Sequence, residues 1–301
     1  MGDWLVDSAI AGNIYTIARY REVKWTWPVP GGNLVGIRHS RISHSGDVQQ
    51  WLEILGYQKK PIDMFVGTNQ IDWTVLPSLP PRLRVRGESG FALNRFREYK
   101  QIWDDYTTPE GCESRGIDFH KVWIGKNLVW DIDTEQYPMD AYVSAERIAN
   151  YLTELGYHPT IVFSGSKGFH VWLTTEESES LVGENLRSVD QQDPLRVLGK
   201  LYASTAQRIA SEAIGQELPL LDLSPCYRQG IIRLPYSIHS KTNQVVWPLS
   251  EDDRKKLGVL RMSNPEANAK EIAQELHPWN RGSTHITPMS QCFRRMVGSF
   301  M

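Results

Sequence analysis

In the segment LVWDID, residues 128–133, two aspartates alternate with large apolar residues. Successive side chains of a strand point to opposite faces, so Asp131 and Asp133 share a face with Val129, while Leu128, Trp130 and Ile132 take the other. Two carboxylates side by side at a strand end repel one another, and a divalent cation relieves that repulsion. Magnesium bound together with phosphate oxygens asks for one or two carboxylates of this kind. The same D-x-D also arises at strand ends as an ordinary solvated pair, so it decides nothing alone.

Two further segments supply positive charge. In VFSGSKGFHVWL, residues 162–173, Gly165 and Gly168 allow positive φ and leave amide hydrogens uncovered, which suits the approach of phosphate oxygens; Lys167 adds a compact cation. A plain hairpin turn with a solvated lysine and a hydrogen-bonded core histidine, His170, explains the same residues equally well. In LLDLSPCYRQGIIRLPYSIHSKT, residues 220–242, Asp222 is a candidate third carboxylate. Arg233, Ser237, His239 and Lys241 fall on one face if the segment is extended; an edge strand with a solvated face, tolerant of Pro235, is the alternative. Together, three acids able to hold two divalent ions and two cationic segments able to hold a triphosphate suit in-line phosphoryl or nucleotidyl transfer. Acyl chemistry does not fit: the sequence has no G-x-S-x-G elbow, no Walker A motif and no dinucleotide fingerprint.

The elements that must position these groups follow from periodicity and turn residues. Residues 3–19 read as a helix, and REVKWTWPV and GGNLVGIRH as two strands around a Pro-Gly-Gly turn at 30–32. SGDVQQWLEIL is a helix capped by Ser45 or Asp47. KVWIGKNLVWDID reads as a strand pair turning at Gly125-Lys126-Asn127, VSAERIANYLTELG as a helix capped by Ser144 and ended by Gly156, and TIVFSGSKGFHVWLT as a hairpin. A helix at about 193–214 and further strands follow, and the tail from 251 is helical and then irregular. Between 73 and 120 prolines break the pattern around Arg82, Arg84 and Arg86, with Arg95 and Arg97 beyond; these arginines are candidates for tracking template phosphates, or else a solvated face. The whole reads as α+β. It divides into an N-terminal α/β layer at 1–120, a catalytic core at 121–250 and a helical tail at 251–301.

A net charge of only −2 announces no global field for a polyanion, so any nucleic-acid site must be a local patch. Three scattered cysteines without a C-x-x-C pair argue against a zinc element or a disulfide framework. With no secretory signal and no stretch of about 18 apolar residues, the sequence reads as that of a cytoplasmic protein with no membrane partner.

LVWDID, FSGSKGFHVW and IIRLPYSIHSKT, in this order, resemble the three motifs of the archaeo-eukaryotic primase superfamily, the last being closer to primase small subunits and primase-polymerases than to bacterial end-joining polymerases. REV at 21–23 and RH at 38–39 extend the likeness, which covers roughly residues 20–60 and 120–250. The resemblance implies a primase-type core with an RNA-recognition-motif-like (RRM-like) sheet packed beside the N-terminal α/β layer. It implies Asp131, Asp133 and Asp222 as catalytic metal ligands for two Mg²⁺ or Mn²⁺ ions. Ser164, Ser166, Lys167 and His170 would hold the phosphates of an NTP or dNTP, with His239 and Lys241 completing the clamp and Arg233 nearby in the nucleotide site. A nearby triphosphate would raise the histidines above their ordinary value of about 6.5, so that they act there as charged donors near neutrality. The implied partners are a single-stranded DNA template and a primase large subunit, helicase or other replication protein, in an archaeal, plasmid or viral setting. The family's cysteine-rich zinc element is missing from the sequence, so no zinc is expected. A metal-dependent nuclease using the same acids, and a non-enzymatic replication-initiation module, are the competing readings.

Overall fold

A computed structural model describes residues 8–28, 34–55, 62–76, 105–185, 189, 193–215 and 220–276. Two antiparallel sheets face each other. The first contains β1 (Val23–Pro28), β2 (Leu34–Ser40), β3 (Asp63–Gly67) and, from far along the chain, β10 (Ile231–Arg233), in the order β10-β3-β1-β2. Helices α1 (Ser8–Ala18) and α2 (Gly46–Leu55) pack with it through Ile10, Ile14, Val48 and Leu52, which meet Trp25 and Met64 in one core. Asp47 does not cap α2 forwards: its carboxylate accepts the amides of Ser43 and His44, fixing the preceding loop.

The second sheet contains β6 (Val129–Asp133), β7 (Thr160–Phe163), β8 (Phe169–Trp172), β9 (Leu220–Asp222) and β11 (Trp247–Pro248), in the order β11-β7-β8-β6-β9. Between them β4 (Asn69–Ile71) and β5 (Trp123–Lys126) form a small ribbon, next to two short helices, α3 (Pro109–Glu113) and α4 (Phe119–Val122). One face of the second sheet presents Trp130, Ile132, Phe163, Phe169 and Val171 to α5 (Pro138–Glu154) and α7 (Pro194–Ile214), while α6 (Thr175–Val182) packs beside β5. Val129, Val162 and Trp172 point the other way and join the core of the first sheet. The period-two alternation expected of LVWDID therefore holds, and its two faces feed two different cores. From β6 through α5, β7, β8 and α7 to β9 the core runs β-α-β-β-α-β, the RRM-like arrangement that the motifs imply. Helices α8 (Glu251–Ser263) and α9 (Ala269–Leu276) bury Leu257, Ile272 and Leu276 in the same core, so the segment after 251 is packed against it through residue 276.

Two local expectations are corrected. Gly125-Lys126-Asn127 does not close a hairpin; it is the crossing from the small ribbon into the second sheet. Lys126 is buried there, with its ammonium donating to Thr68 Oγ1 at 2.8 Å, Asn69 Oδ1 at 3.1 Å and the Tyr227 carbonyl at 3.1 Å; burial lowers its pKa to about 7. Helix α5 begins at Pro138, whose fixed φ suits a first turn, so Ser144 is interior and its Oγ donates to the Asp140 carbonyl instead of capping. After residue 173 the chain also forms α6, started by a reciprocal capping box of Thr174 and Glu177.

Candidate active site

Antiparallel register sets the site. Asp131 lies directly opposite Asp222 on β9 and opposite His170 on β8, so these three side chains share a face with Asp133, two residues along β6. That face turns towards the first sheet, whose contribution is Arg233 at the end of β10. Burial, together with the neighbouring carboxylates of Asp133 and Asp222, pushes the Asp131 carboxyl up to about 7 despite the opposing pull of Arg233 and Lys167. Lys167 Nζ sits 3.1 Å from Asp133 Oδ2, and His170 Nε2 is 3.4 Å from Asp131 Oδ1. Asp222 Oδ1 accepts the Ser224 amide at 2.7 Å and Oδ2 the Ser224 hydroxyl at 2.8 Å. Among the described residues no three His, Cys, Asp or Glu side chains are already gathered closely enough to enclose an ion. The three acids share one face, with Asp133 turned to Lys167 and Asp222 to Ser224.

The glycine turn is wedged against this face. Ser164 is buried and structural: its Oγ accepts the Gly168 amide at 3.2 Å, and its own amide donates to the Gly168 carbonyl. Gly165 has φ +82°, as a turn glycine should, but Gly168 does not take positive φ. Its requirement is space: a Cβ there would lie 2.3 Å from Asp133 Oδ1 and 2.6 Å from the Ile132 carbonyl. Ser166 is half-buried and Lys167 is exposed beside the carboxylates.

The third motif reaches the same place by a route that strand parity does not describe. Only Ile231–Arg233 is a strand; the chain then turns through Tyr236 at φ +67°, and Ser237 is buried with its Oγ donating to the Leu234 carbonyl at 2.6 Å. An isolated bridge between Ile238 and Val245 folds the loop back, and the Thr242 hydroxyl donates to the Gly165 carbonyl. A Cβ on Gly165 would approach His239 Cβ to 3.0 Å. The two cationic motifs are therefore in contact, and Lys241 is exposed at their edge.

Asp63 escaped the sequence reading. Buried on β3, it pairs with Arg233 and accepts the amide and hydroxyl of Ser240, while the Arg233 guanidinium lies 4.7 Å from the Phe65 ring centroid. Burial alone would raise its carboxyl, but Arg233 and Ser240 outweigh that and hold it below the usual carboxylate range. Its signal was a lone acid inside the apolar run PIDMFVG, a place where an unpaired charge is costly. Arg82, Arg84, Arg86, Arg95 and Arg97 lie outside the described residues.

The histidines start from lower values than their ordinary one. Burial, and then Arg233, lowers His170 to about 3 and His239 to about 4, so both rings are neutral at pH 7 in the protein without ligands. Their depressed values place stability above the unfolded histidine pKa of about 6.5, to be lost as pH falls towards 4. Urea midpoints at pH 7 and pH 5 should fall further apart for the wild type than for His239→Gln. An equal fall in both would show that His239 is not held neutral.

No protein-family model matches the chain. It is similar to the DNA primase small subunit PriS of Pyrobaculum arsenaticum, at 32% identity over 212 residues, covering 56% of this chain and 68% of that protein. PriS of Pyrobaculum calidifontis is 29% identical over 195 residues, and PriS of Pyrobaculum aerophilum 29% over 167; the chain spans 59% and 54% of their lengths. Among solved structures, the polymerase domain of Mycobacterium tuberculosis ligase D in complex with DNA superposes with a TM-score of 0.50 at 13% identity. That match covers 90% of this chain and 85% of the other, and it shows a shared fold. No described helix is long and apolar enough to cross a membrane.

Proposed function

The chain belongs to the family of DNA primase small subunits, and on that premise we propose that it is a DNA-directed nucleotidyltransferase that makes or extends primers from nucleoside triphosphates at the face carrying Asp131, Asp133 and Asp222. The observation that carries this reading is the register of β6 and β9, which sets Asp131 opposite Asp222 although 90 residues separate them, with the glycine turn pressed against Asp133.

The donor set fits divalent metal ions. Asp131 resists ionisation because it is buried and, beyond that, because Asp133 and Asp222 face it, and added positive charge among the three is what relieves such a group. Asp131, Asp133 and Asp222 would hold two Mg²⁺ or Mn²⁺ ions. Such ions, when bound, supply acidification of a primer 3′-hydroxyl and neutralisation of triphosphate charge. Lys167 is exposed and tethered only at its tip, so it can exchange Asp133 for a phosphate oxygen. His170 and His239 enter as neutral rings, each able to donate one N–H, and the Lys241 amide already donates to His239 Nδ1 at 3.2 Å, which leaves Nε2 as the donor. Arg233, fixed by Asp63 and Phe65, supplies a charge that does not need to find its position.

The test is synthesis by the purified chain on unprimed single-stranded DNA, with ribonucleotide and deoxyribonucleotide pools in turn and Mg²⁺ or Mn²⁺ present. New strands that require triphosphates are expected. Shortening of labelled DNA without triphosphates would mark a nuclease instead. Nucleotide binding without incorporation would mark a binding module, and either outcome sinks the proposal.

A further inference from the structure

We propose that Tyr227, together with Arg196 and Lys200 of α7, forms a docking surface for the single-stranded DNA template; this rests on the nucleotidyltransferase reading above. Among the described residues Tyr227 is the most exposed aromatic side chain, at 47%. Exposed aromatics that serve no packing purpose are commonly loose, but this one is mounted on a fixed backbone. Its carbonyl accepts from Lys126 Nζ at 3.1 Å and from the Gly230 amide at 3.0 Å, and its amide donates to the Ser224 carbonyl at 3.3 Å. Arg228, next in sequence, is held by the Thr107 hydroxyl at 2.7 Å and by Asp193 at 3.4 Å.

This backbone lies directly on α7 at Gly199. A Cβ there would meet the Arg228 amide nitrogen at 2.9 Å and Tyr227 Cα at 3.0 Å, so the helix approaches the loop as closely as only glycine permits. Arg196 and Lys200 flank Gly199 on the same side of the helix, one turn apart. Both are exposed, and neither has an ionic partner among the described residues. Asp193, the acid near them, is engaged by Arg228 and by the helix N-terminus. An aromatic side chain on a fixed backbone, near two uncompensated cations, suits the binding of single strands without regard to sequence: bases stack on the ring while phosphates meet the charges. The chain's net charge of −2 makes such a local patch informative. The surface is also joined to the acids, since Asp222 accepts the Ser224 amide and Ser224 accepts that of Tyr227. The template is the occupant to expect, because making or extending a primer on DNA requires a hold on the single strand being copied.

The probe is a fluorescein-labelled single-stranded oligodeoxynucleotide of mixed sequence, followed by anisotropy over a salt series in EDTA without nucleotides. Tyr227→Ala should weaken binding about five- to tenfold, with Tyr227→Phe close to wild type. Replacing Arg196 and Lys200 together by glutamine should flatten the dependence of log K on log salt by about one unit. Wild-type affinity and slope in both variants would overturn the proposal. So would a loss seen only with primed duplex, which would give the surface to the primer. Because this assay involves no chemistry, a wild type that binds through Tyr227 yet incorporates nothing would refute the nucleotidyltransferase reading alone. A wild type that synthesises normally, with Tyr227→Ala unchanged in binding, would refute only the docking surface.

Discussion

Replacing Asp131 by asparagine is expected to abolish nucleotide incorporation, by about three orders of magnitude or more, and at the same time to stabilise the metal-free protein at pH 8. Both effects come from the same crowding. The carboxyl is opposed by Asp133 and Asp222 in a buried setting that pushes it up to about 7, so the fold disfavours its ionised form. Below about pH 4 it is protonated in folded and unfolded chains alike and imposes nothing. As pH rises from about 4 to about 7 the unfolded chain ionises and the folded one does not, and the stability present at low pH is lost, by roughly 2–4 kcal/mol. Asparagine keeps the shape without the charge. Thermal midpoints in EDTA should therefore be several degrees higher than wild type at pH 8 and equal to it near pH 4. A variant less stable than wild type at pH 8 would mean that burial and the facing acids do not disfavour an ionised Asp131.

Gly168→Ala should be nearly as damaging to activity, for a reason that lies in space and not in charge. A methyl group 2.3 Å from Asp133 Oδ1 and 2.6 Å from the Ile132 carbonyl cannot be accommodated without moving β6 or the turn. Overpacking of this kind costs about 1–3 kcal/mol, and a displacement of about 1 Å at reacting groups costs on the order of a hundredfold in rate. Incorporation is expected to fall by about that factor while the protein still unfolds cooperatively. Gly165→Ala would act differently, through strain at φ +82° and through contact with His239. Measured kcat separates the Gly168 account from a merely tolerated surface turn, which would leave it unchanged.

How far the sequence could be read depends on the range of the physics involved. The alternation in LVWDID is local, and it correctly divided Trp130 and Ile132 from Asp131 and Asp133. The hairpin of β7 and β8 was legible because two apolar runs and a glycine turn specify it without help from elsewhere. Asp222 was found as a residue type near a strand, but that it pairs across from Asp131 is a fact of strand order, which no local pattern encodes. Lys126 was misread because Gly-Lys-Asn has turn composition; what buries it is the convergence of Thr68, Asn69 and Tyr227 from two distant segments. The parity argument for residues 233–241 failed at Pro235 and Tyr236, where the backbone leaves the strand, and the same side chains reach the site through a folded-back loop. The low starting values of the histidines were not legible, because burial and the proximity of Arg233 set them.

The account stands or falls on whether an acid from β9 works with the pair on β6. Labelled-nucleotide incorporation by Asp222→Asn, measured beside wild type on single-stranded DNA with Mg²⁺ or Mn²⁺, tests this most directly. The expected result is strand synthesis by wild type and none by the variant, with both proteins unfolding at similar urea concentrations. Synthesis by Asp222→Asn at a rate comparable to wild type would contradict it.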